Sequence, residues 1–253
     1  NVENLVVTAL SPHDQWPSAK SIAPHVLTHV EEALVLDADT ICLKDLTPVF
    51  DEQPEKQFIA RQSSRYLHRN RGVSYDWNVF TEIRWQKFLK ATGLISKVSA
   101  LSVELERDLL LGAITPEEAS RTRIADMTQA PINSGVYVLR SGADDASLGE
   151  KLSRKQQELL LRARCGEWCF PYDGGLFTME EHALCLAVKL LQLSEGVLPD
   201  QYHLFGWLLT DDDTEEMFDR SVILHTSDEL YPDLFAKAVK HLGLDLTDFL
   251  SAT

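Results

Sequence analysis

The chain has 253 residues, of which 44% are hydrophobic and 25% are charged, and its formal net charge is −15. This composition is ordinary for a globular protein, and the length is sufficient for one sizeable core. The strong negative charge disfavours a broad electrostatic contact with nucleic acid or anionic lipid. No apolar run approaches membrane-spanning length, so the sequence predicts no membrane span.

Apolar runs alternate with helical patterns along the whole chain. Strands are predicted at residues 5–10, 33–36, 58–60, 132–139 and 221–225. Helices are predicted at residues 18–30, 76–92, 98–111, 115–125, 144–164 and 179–193, and one or two helices are predicted at residues 231–250. This order predicts an α/β fold with a mixed, mainly parallel sheet flanked by helices. We expect a single domain covering residues 1–253, in which residues 229–253 form a C-terminal helical segment.

The four cysteines do not show the short paired spacings of a structural zinc site. They are Cys42, Cys165, Cys169 and Cys185. We expect reduced, mostly structural thiols and a cytoplasmic location. The printed sequence begins with Asn1, so a targeting segment could have been removed or left out.

Two aspartates follow the predicted strand 33–36. Asp37 and Asp39 are separated by one alanine, and alternate side chains of an extended segment project to the same side. Neighbouring carboxylates repel each other unless a divalent cation or a set of donors lies between them. The end of a buried strand is also a common ligand site in open α/β sheets. The pattern therefore favours a metal site for a phosphate-bearing ligand, although such a pair can also be a solvated turn of surface acids.

Two further predicted strands carry polar residues at or near an end. One contains Asn133-Ser134-Gly135, and the other ends in His225. Two carboxylates and one imidazole are a reasonable ligand set for Mn²⁺, whereas Mg²⁺ prefers oxygen ligands alone. The alternatives are that His225 is a buried structural histidine and that Asn133 caps a turn.

Four segments together resemble GT-A glycosyltransferases, particularly the family 8 enzymes that include glycogenin and galactosyltransferases. The run ALVLDADTICLKDL at residues 33–46 resembles the aspartate signature of that group, and PINSGVYVL at residues 131–139 resembles its Asn-Ser-Gly strand. The acidic helix start EEHAL at residues 180–184 and the strand VILH at residues 222–225 resemble two later family elements. The resemblance implies a GT-A-like, Rossmann-like fold.

The resemblance also implies a function and a set of site residues. The protein would move a hexosyl group from a nucleotide-diphosphate sugar, with a UDP-sugar expected, and with retention of configuration. The metal would be held by Asp37, Asp39 and His225. The donor would be bound by Lys20, Asp37, Ala38, Asp39, Asn133, Ser134 and Gly135. The residues nearest the reacting sugar would be Asn133, Glu180 and Glu181.

The chain departs from the family pattern at both ends. Only 36 residues precede Asp37, so the nucleotide-binding part is expected to be short or incomplete, and the expectation of a UDP-sugar comes from the resemblance and not from residues that would bind the base. The glycine and lysine that follow the family's histidine are absent after His225. A nucleotidyltransferase or nucleotide-sugar hydrolase on a related fold, and a catalytically degenerate binding protein, therefore stay as alternatives.

The acceptor is left open by the sequence. A sugar, a protein or a lipid is compatible with the acidic chain, and nucleic acid is disfavoured. The densest basic segment could contact phosphate groups, or it could be a solvated loop. Its arginines are Arg61, Arg65, Arg69 and Arg71.

Overall fold

The computed structural model describes twelve parts of the chain, and the statements below concern them alone. They are residues 19–28, 30–62, 67–68, 72–73, 86–98, 100–115, 118, 132–141, 147–164, 176–206, 214–226 and 232–245. The predicted strand 5–10 and the arginines Arg65, Arg69 and Arg71 lie outside the described residues. The predicted helix 76–92 lies largely outside them as well, although residues 86–91 are helical.

Besides the helical residues 86–91, the described part of the chain contains nine strands, five α-helices and three 3₁₀ helices with defined bounds. The strands are β1 (Glu32–Leu36), β2 (Thr40–Cys42), β3 (Phe58–Gln62), β4 (Leu67–His68), β5 (Gly72–Val73), β6 (Ile132–Arg140), β7 (Glu195–Val197), β8 (Leu204–Phe205) and β9 (Ile223–His225). The α-helices are α1 (Ala100–Leu110), α2 (Leu148–Arg164), α3 (Leu176–Leu190), α4 (Thr214–Arg220) and α5 (Pro232–His241). The 3₁₀ helices are Ala19–Thr28, Thr47–Asp51 and Asp200–Tyr202.

The larger sheet has four strands in the order β1-β6-β3-β7. β6 is antiparallel to both of its neighbours, and β3 and β7 are parallel. β1, β3 and β7 therefore run in one direction and β6 opposes them. This arrangement, with helices packed against the sheet, confirms the predicted mixed α/β class.

A smaller sheet has the strand order β2-β9-β8, with β2 antiparallel and β8 parallel to β9. The sequence analysis did not predict the short strands β2, β4, β5, β7 and β8, nor helix α4. The five strands are two or three residues long, which is too short for an alternating pattern to be recognised. They are defined by their hydrogen bonds to neighbouring strands instead.

β6 is the central strand of the fold because the core covers it on both faces. Tyr137 and Leu139 belong to an apolar cluster with α2 and α3, whereas Val136 and Val138 belong to a second cluster on the opposite face. Alternate side chains of a strand point to opposite faces of the sheet. The successive apolar residues 136–139 must therefore be covered by core on both faces. This explains the continuous apolar run that predicted the strand.

Helix α2 packs closely against the 3₁₀ helix Ala19–Thr28. Ser153 Oγ donates a hydrogen bond of 2.6 Å to the carbonyl of Ser21, and a Cβ on Gly149 would lie 2.8 Å from Leu27 Cβ. The sequence predicted a helix at residues 18–30. Pro24 lies within the observed 3₁₀ helix, and because proline lacks an N–H, it cannot donate a helical backbone bond.

The helix predicted at residues 115–125 lies largely outside the described residues, but its start is visible. The backbone N–H of Thr115 donates to Glu118 Oε2 over 2.8 Å, and the N–H of Glu118 donates to Thr115 Oγ1 over 3.2 Å. These reciprocal bonds form a capping box, which fixes the start of a helix. No helix in the described part of the chain is long and apolar enough to cross a membrane.

Arg140 fixes the far end of β6 to the loop before β3. Its guanidinium donates to the carbonyls of Phe50 over 2.8 Å and Lys56 over 3.1 Å, and to two further carbonyls at 3.3 Å. It also pairs with Glu32 at 3.1 Å. Arg140 is 8% exposed, so these bonds satisfy backbone groups that water reaches poorly.

Replacing Arg140 by methionine keeps the aliphatic volume and removes every donor. We expect Arg140→Met to lower the free energy of unfolding by about 2–4 kcal/mol, because several carbonyls and one carboxylate lose their partner. The control is Arg154→Met on the exposed face of α2, where an ion pair with Glu150 is lost and stability changes little. Urea denaturation measures both, and equal stabilities of the two variants would contradict the assigned role.

Candidate functional site

The turn after β1 places Asp37 and Asp39 at the end of the larger sheet. The backbone N–H of Asp37 donates to the carbonyl of Gly135 on β6 over 2.8 Å. Both the N–H and the hydroxyl of Thr40 then donate to the carbonyl of Asp37, over 3.2 and 2.7 Å. These bonds close a tight turn, and the chain leaves it as β2.

The pairing of β2 with β9 brings His225 to this turn. Thr40 lies opposite His225 in the register, and the N–H of Thr226 donates to the carbonyl of Asp39 over 2.8 Å. As a result, His225 Nε2 lies 3.1 Å from Asp39 Oδ1 and 4.0 Å from Asp37 Oδ2. One ligand atom from each of the three residues lies within 4.8 Å of the others.

This acidic cluster, consisting of Asp37, Asp39 and His225, is partly open to solvent. The side chain of Asp39 is 45% exposed, whereas those of Asp37 and His225 are 13% and 8% exposed. In the part of the chain that the structure describes, no other group of three histidine, cysteine or acidic residues could hold a metal ion. The structure thus brings together the three residues that the sequence analysis selected as metal ligands.

Gly135 permits the close approach of the imidazole. A Cβ at this position would overlap Cε1 of His225 and would lie 2.7 Å from its Nδ1. Asn133 Oδ1 accepts a 2.8 Å hydrogen bond from the N–H of Gly135, which holds the local backbone. The absence of a side chain at Gly135 is therefore a steric requirement of the site, and the sequence analysis named this residue only as a donor-binding one.

Helix α3 begins at Leu176, so Glu180 and Glu181 lie in its second turn and not at the helix start that the sequence analysis predicted. Glu181 nevertheless reaches the same part of β6. Glu181 Oε1 accepts a 3.3 Å hydrogen bond from the N–H of Ser134, and Glu181 is 8% exposed. Glu180 is partly buried, and its backbone carbonyl accepts from Gln156 Nε2 over 3.3 Å. Lys20 lies on the 3₁₀ helix Ala19–Thr28, and its side chain is outside the described part of the structure.

His203 lies directly behind His225, and the sequence analysis did not identify it. His203 Nε2 is 2.9 Å from His225 Nδ1, and His203 is fully buried. Burial, the neighbouring His225 and the Arg61 guanidinium all lower the pKa of His203 well below 6.5. In the sequence, His203 directly precedes the two apolar residues of β8, Leu204 and Phe205. This position indicates that His203 is buried, but it does not indicate the contact with His225.

Arg61 is occupied by internal contacts. Its guanidinium donates to the backbone carbonyl of His203, pairs with Asp200 at 3.3 Å and lies 5.1 Å from the centre of the Phe205 ring. Arg61 therefore supports the backbone beside the acidic cluster. The contacts of the other three arginines of the basic segment are outside the described residues.

A pocket of about 300 Å³ adjoins the acidic cluster. It is lined by Ala23, Val35, Leu36, Asp37, Ala38, Ser134, Tyr137, Gln156 and Leu184. Asp37 belongs to both the pocket and the cluster. Burial and the nearby Asp37 carboxylate raise the pKa of Tyr137, so its phenol is neutral. Three residues that the sequence analysis assigned to the donor, Asp37, Ala38 and Ser134, thus line one cavity.

The comparisons with known proteins give a similarity to a solved structure but not to a family or a curated protein. No family model matches the chain, and no curated protein matches it. The chain is similar to the apo structure of the WbbM bifunctional glycosyltransferase, with a TM-score of 0.41 and 13% sequence identity. The match covers 88% of this chain and 35% of the other, so the chain spans about a third of that structure's length.

A side chain at position 135 would displace the imidazole. We expect Gly135→Ala to lower the free energy of unfolding by about 1–3 kcal/mol, because either His225 or the backbone must move to admit the methyl group. Chemical denaturation gives the energy, and the histidine resonances in an NMR spectrum report the shift of His225. An unchanged His225 resonance together with wild-type stability would contradict the close contact.

The lowered pKa of His203 predicts a pH dependence of stability. The unfolded chain binds a proton at this residue near pH 6.5 and the folded chain does not, so the free energy of unfolding falls as the pH drops below that value. This single group contributes up to about 1.4 kcal/mol per pH unit. In His203→Asn that part of the slope should vanish. Urea denaturation across the acidic range, with a chelator present, measures it, and identical slopes would contradict the prediction.

Proposed function

We propose that the protein is a metal-dependent glycosyltransferase that moves a hexosyl group from a nucleotide-diphosphate sugar to an acceptor. The observation that carries the proposal is the acidic cluster, in which two carboxylates and an imidazole converge at the end of β1. A UDP-sugar is the proposed donor, and Mn²⁺ is the proposed metal, because an imidazole in the ligand set favours Mn²⁺ over Mg²⁺.

Two of the three spacings between the ligand atoms can be compared with those of an octahedral cation. With metal–ligand bonds of about 2.1 Å, adjacent corners of an octahedron are about 3.0 Å apart and opposite corners about 4.2 Å. The distances of 3.1 and 4.0 Å from His225 Nε2 to Asp39 and Asp37 match this range. The partial exposure of Asp39 leaves the cluster accessible to diphosphate oxygens.

A divalent cation bound there would neutralise the negative charge that develops on the departing diphosphate. His225 can serve as its ligand only through an unprotonated Nε2, so the ring proton belongs on Nδ1. Nδ1–H then donates to Nε2 of His203, which is available because the lowered pKa keeps His203 neutral. His203 thereby fixes the tautomer and the orientation of His225.

The pocket beside Asp37 is the proposed site for the transferred sugar. Its volume of about 300 Å³ is at the lower end of the range for small-molecule sites and suits one sugar ring rather than a whole nucleotide. Ser134 lines the pocket, and the Glu181 carboxylate accepts a hydrogen bond from the backbone N–H of Ser134. A carboxylate near the ring stabilises the positive charge of an oxocarbenium-like transition state, which is the role we propose for Glu181.

The remaining parts of the proposal concern Asn133, Glu180, Lys20 and the stereochemical outcome. Asn133 is proposed to contact the sugar or the acceptor through its amide nitrogen, since its oxygen already accepts from Gly135. Glu180 is a second proposed acid near the reacting face, and Lys20 is a proposed donor contact. Retention of configuration and a single domain are part of the same proposal, and the acceptor stays open.

Replacing one carboxylate of the cluster should abolish metal-dependent chemistry. We expect Asp39→Asn to reduce Mn²⁺-dependent release of nucleotide from a UDP-sugar about 100-fold or more, because a neutral amide is a poor ligand and leaves Asp37 and His225 alone. Asp45→Asn is the matched control, since Asp45 lies on the same segment, contacts Thr47 and is outside the cluster.

The binding step can be measured separately by titration calorimetry with UDP and Mn²⁺. The wild type and Asp45→Asn should bind UDP more tightly with Mn²⁺ than with a chelator, and Asp39→Asn should show no such difference. A panel that includes GDP and dTDP extends the test to other bases. If no nucleotide bound in a metal-dependent manner, the proposed function would be wrong.

A further inference from the structure

Two buried oxygens of the pocket have no hydrogen-bond partner in the described part of the structure. They are the hydroxyl oxygen of Ser134 and the amide oxygen Oε1 of Gln156. Ser134 is 3% exposed and Gln156 is 1% exposed, and both residues line the pocket. Buried polar atoms are nearly always hydrogen-bonded in folded proteins, so a pair of unsatisfied oxygens in one cavity indicates a missing partner.

The two side chains offer complementary hydrogen-bonding capacities. Gln156 Nε2 donates to the carbonyl of Glu180, so its amide is held in one orientation and Oε1 is left as an acceptor. The Ser134 hydroxyl can donate a proton, and the hydrogen bond to Glu181 comes from the backbone N–H of Ser134 and leaves that hydroxyl unused. The two side chains can therefore serve a ligand group that donates to Gln156 Oε1 and accepts from the Ser134 hydroxyl.

The other walls of the pocket are mainly apolar. Leu36, Leu184 and Ala23 present hydrocarbon, and the remaining charged side chain is that of Asp37 in the acidic cluster. A single hydroxyl group would leave this hydrocarbon surface uncovered, whereas a ligand group that ends in a methyl would bury it. An unpaired polar group would cost binding free energy here, so the pocket favours a group with few polar atoms and an apolar end.

We propose that the pocket receives the acetamido group of an N-acetylated amino sugar, an inference that rests on the proposed function. The amide N–H of the ligand donates to Gln156 Oε1, and its carbonyl accepts from the Ser134 hydroxyl. The methyl group packs against the apolar walls, including Leu184 and Ala23. Gln156 and Ser134 are thus specificity-determining residues that select the donor sugar, while the acidic cluster holds its diphosphate.

The test compares donors that share one nucleotide and differ at a single position of the sugar. UDP-N-acetylglucosamine and UDP-N-acetylgalactosamine are measured against UDP-glucose and UDP-galactose by calorimetry in the presence of Mn²⁺. We expect at least one acetamido sugar to bind about tenfold or more tightly than its hydroxyl counterpart, since two hydrogen bonds and a buried methyl group are gained. If the panel selects another base, the corresponding pair of nucleotide sugars is used.

Substitutions of Gln156 and Ser134 test whether these two residues cause the preference for acetamido sugars. Gln156→Leu and Ser134→Ala should each reduce the ratio of acetamido to hydroxyl affinity about tenfold. Gln157→Leu is the matched control, because Gln157 lies on the same helix and donates to Ser153 rather than lining the pocket. This control should keep the wild-type ratio. Ser134→Ala removes a single oxygen, so it tests the inference even if Gln156→Leu does not fold.

The outcomes separate this inference from the proposed function. Metal-dependent binding of UDP with equal affinity for acetamido and hydroxyl sugars would overturn the inference and leave the proposed function standing. A preference that persists in both variants would show that other residues read the sugar and would also overturn it. Absence of any metal-dependent nucleotide binding would overturn both.

Discussion

The candidate site depends on one close approach, in which the imidazole of His225 lies against the backbone of Gly135. Gly135 also accepts the hydrogen bond from the N–H of Asp37, so a single position of β6 joins the ends of β1 and β9. A side chain at this position would separate the imidazole from the carboxylates. Asp39 would then lose its 3.1 Å contact with His225 Nε2.

Several residues near the site support the backbone as well as facing a prospective ligand. Asn133 and Glu181 each accept a hydrogen bond from a backbone N–H of β6, and Arg61 donates to the carbonyl of His203. Such contacts fix the positions of the groups that would touch metal and sugar, which is a prerequisite for precise binding. A carboxylate such as that of Glu181 can combine both tasks because each of its two oxygens can accept hydrogen bonds.

The sequence predicts the parts of this arrangement that long apolar runs define. β1, β6 and β9 were recognised in this way, and the polar residues at or near their ends include Asp37, Asn133 and His225. It does not predict His203 or Gln156, because their importance comes from packing between segments that are distant in the chain. In the sequence, Gln156 is an ordinary polar residue on an amphipathic helix. Only the packing of α2 in the folded protein shows that its side-chain oxygen is buried beside the pocket without a hydrogen-bond partner among the described residues.

The acidic cluster joins residues from nearly opposite ends of the chain, since Asp37 precedes and His225 follows most of the core. A growing polypeptide therefore exposes both aspartates long before their imidazole partner is synthesised. Contacts between such distant segments form late, after the intervening loops have closed. A cation that binds all three residues of the cluster would stabilise the folded state and contribute little to the stability of partly folded chains. It would therefore slow unfolding more than it would accelerate folding.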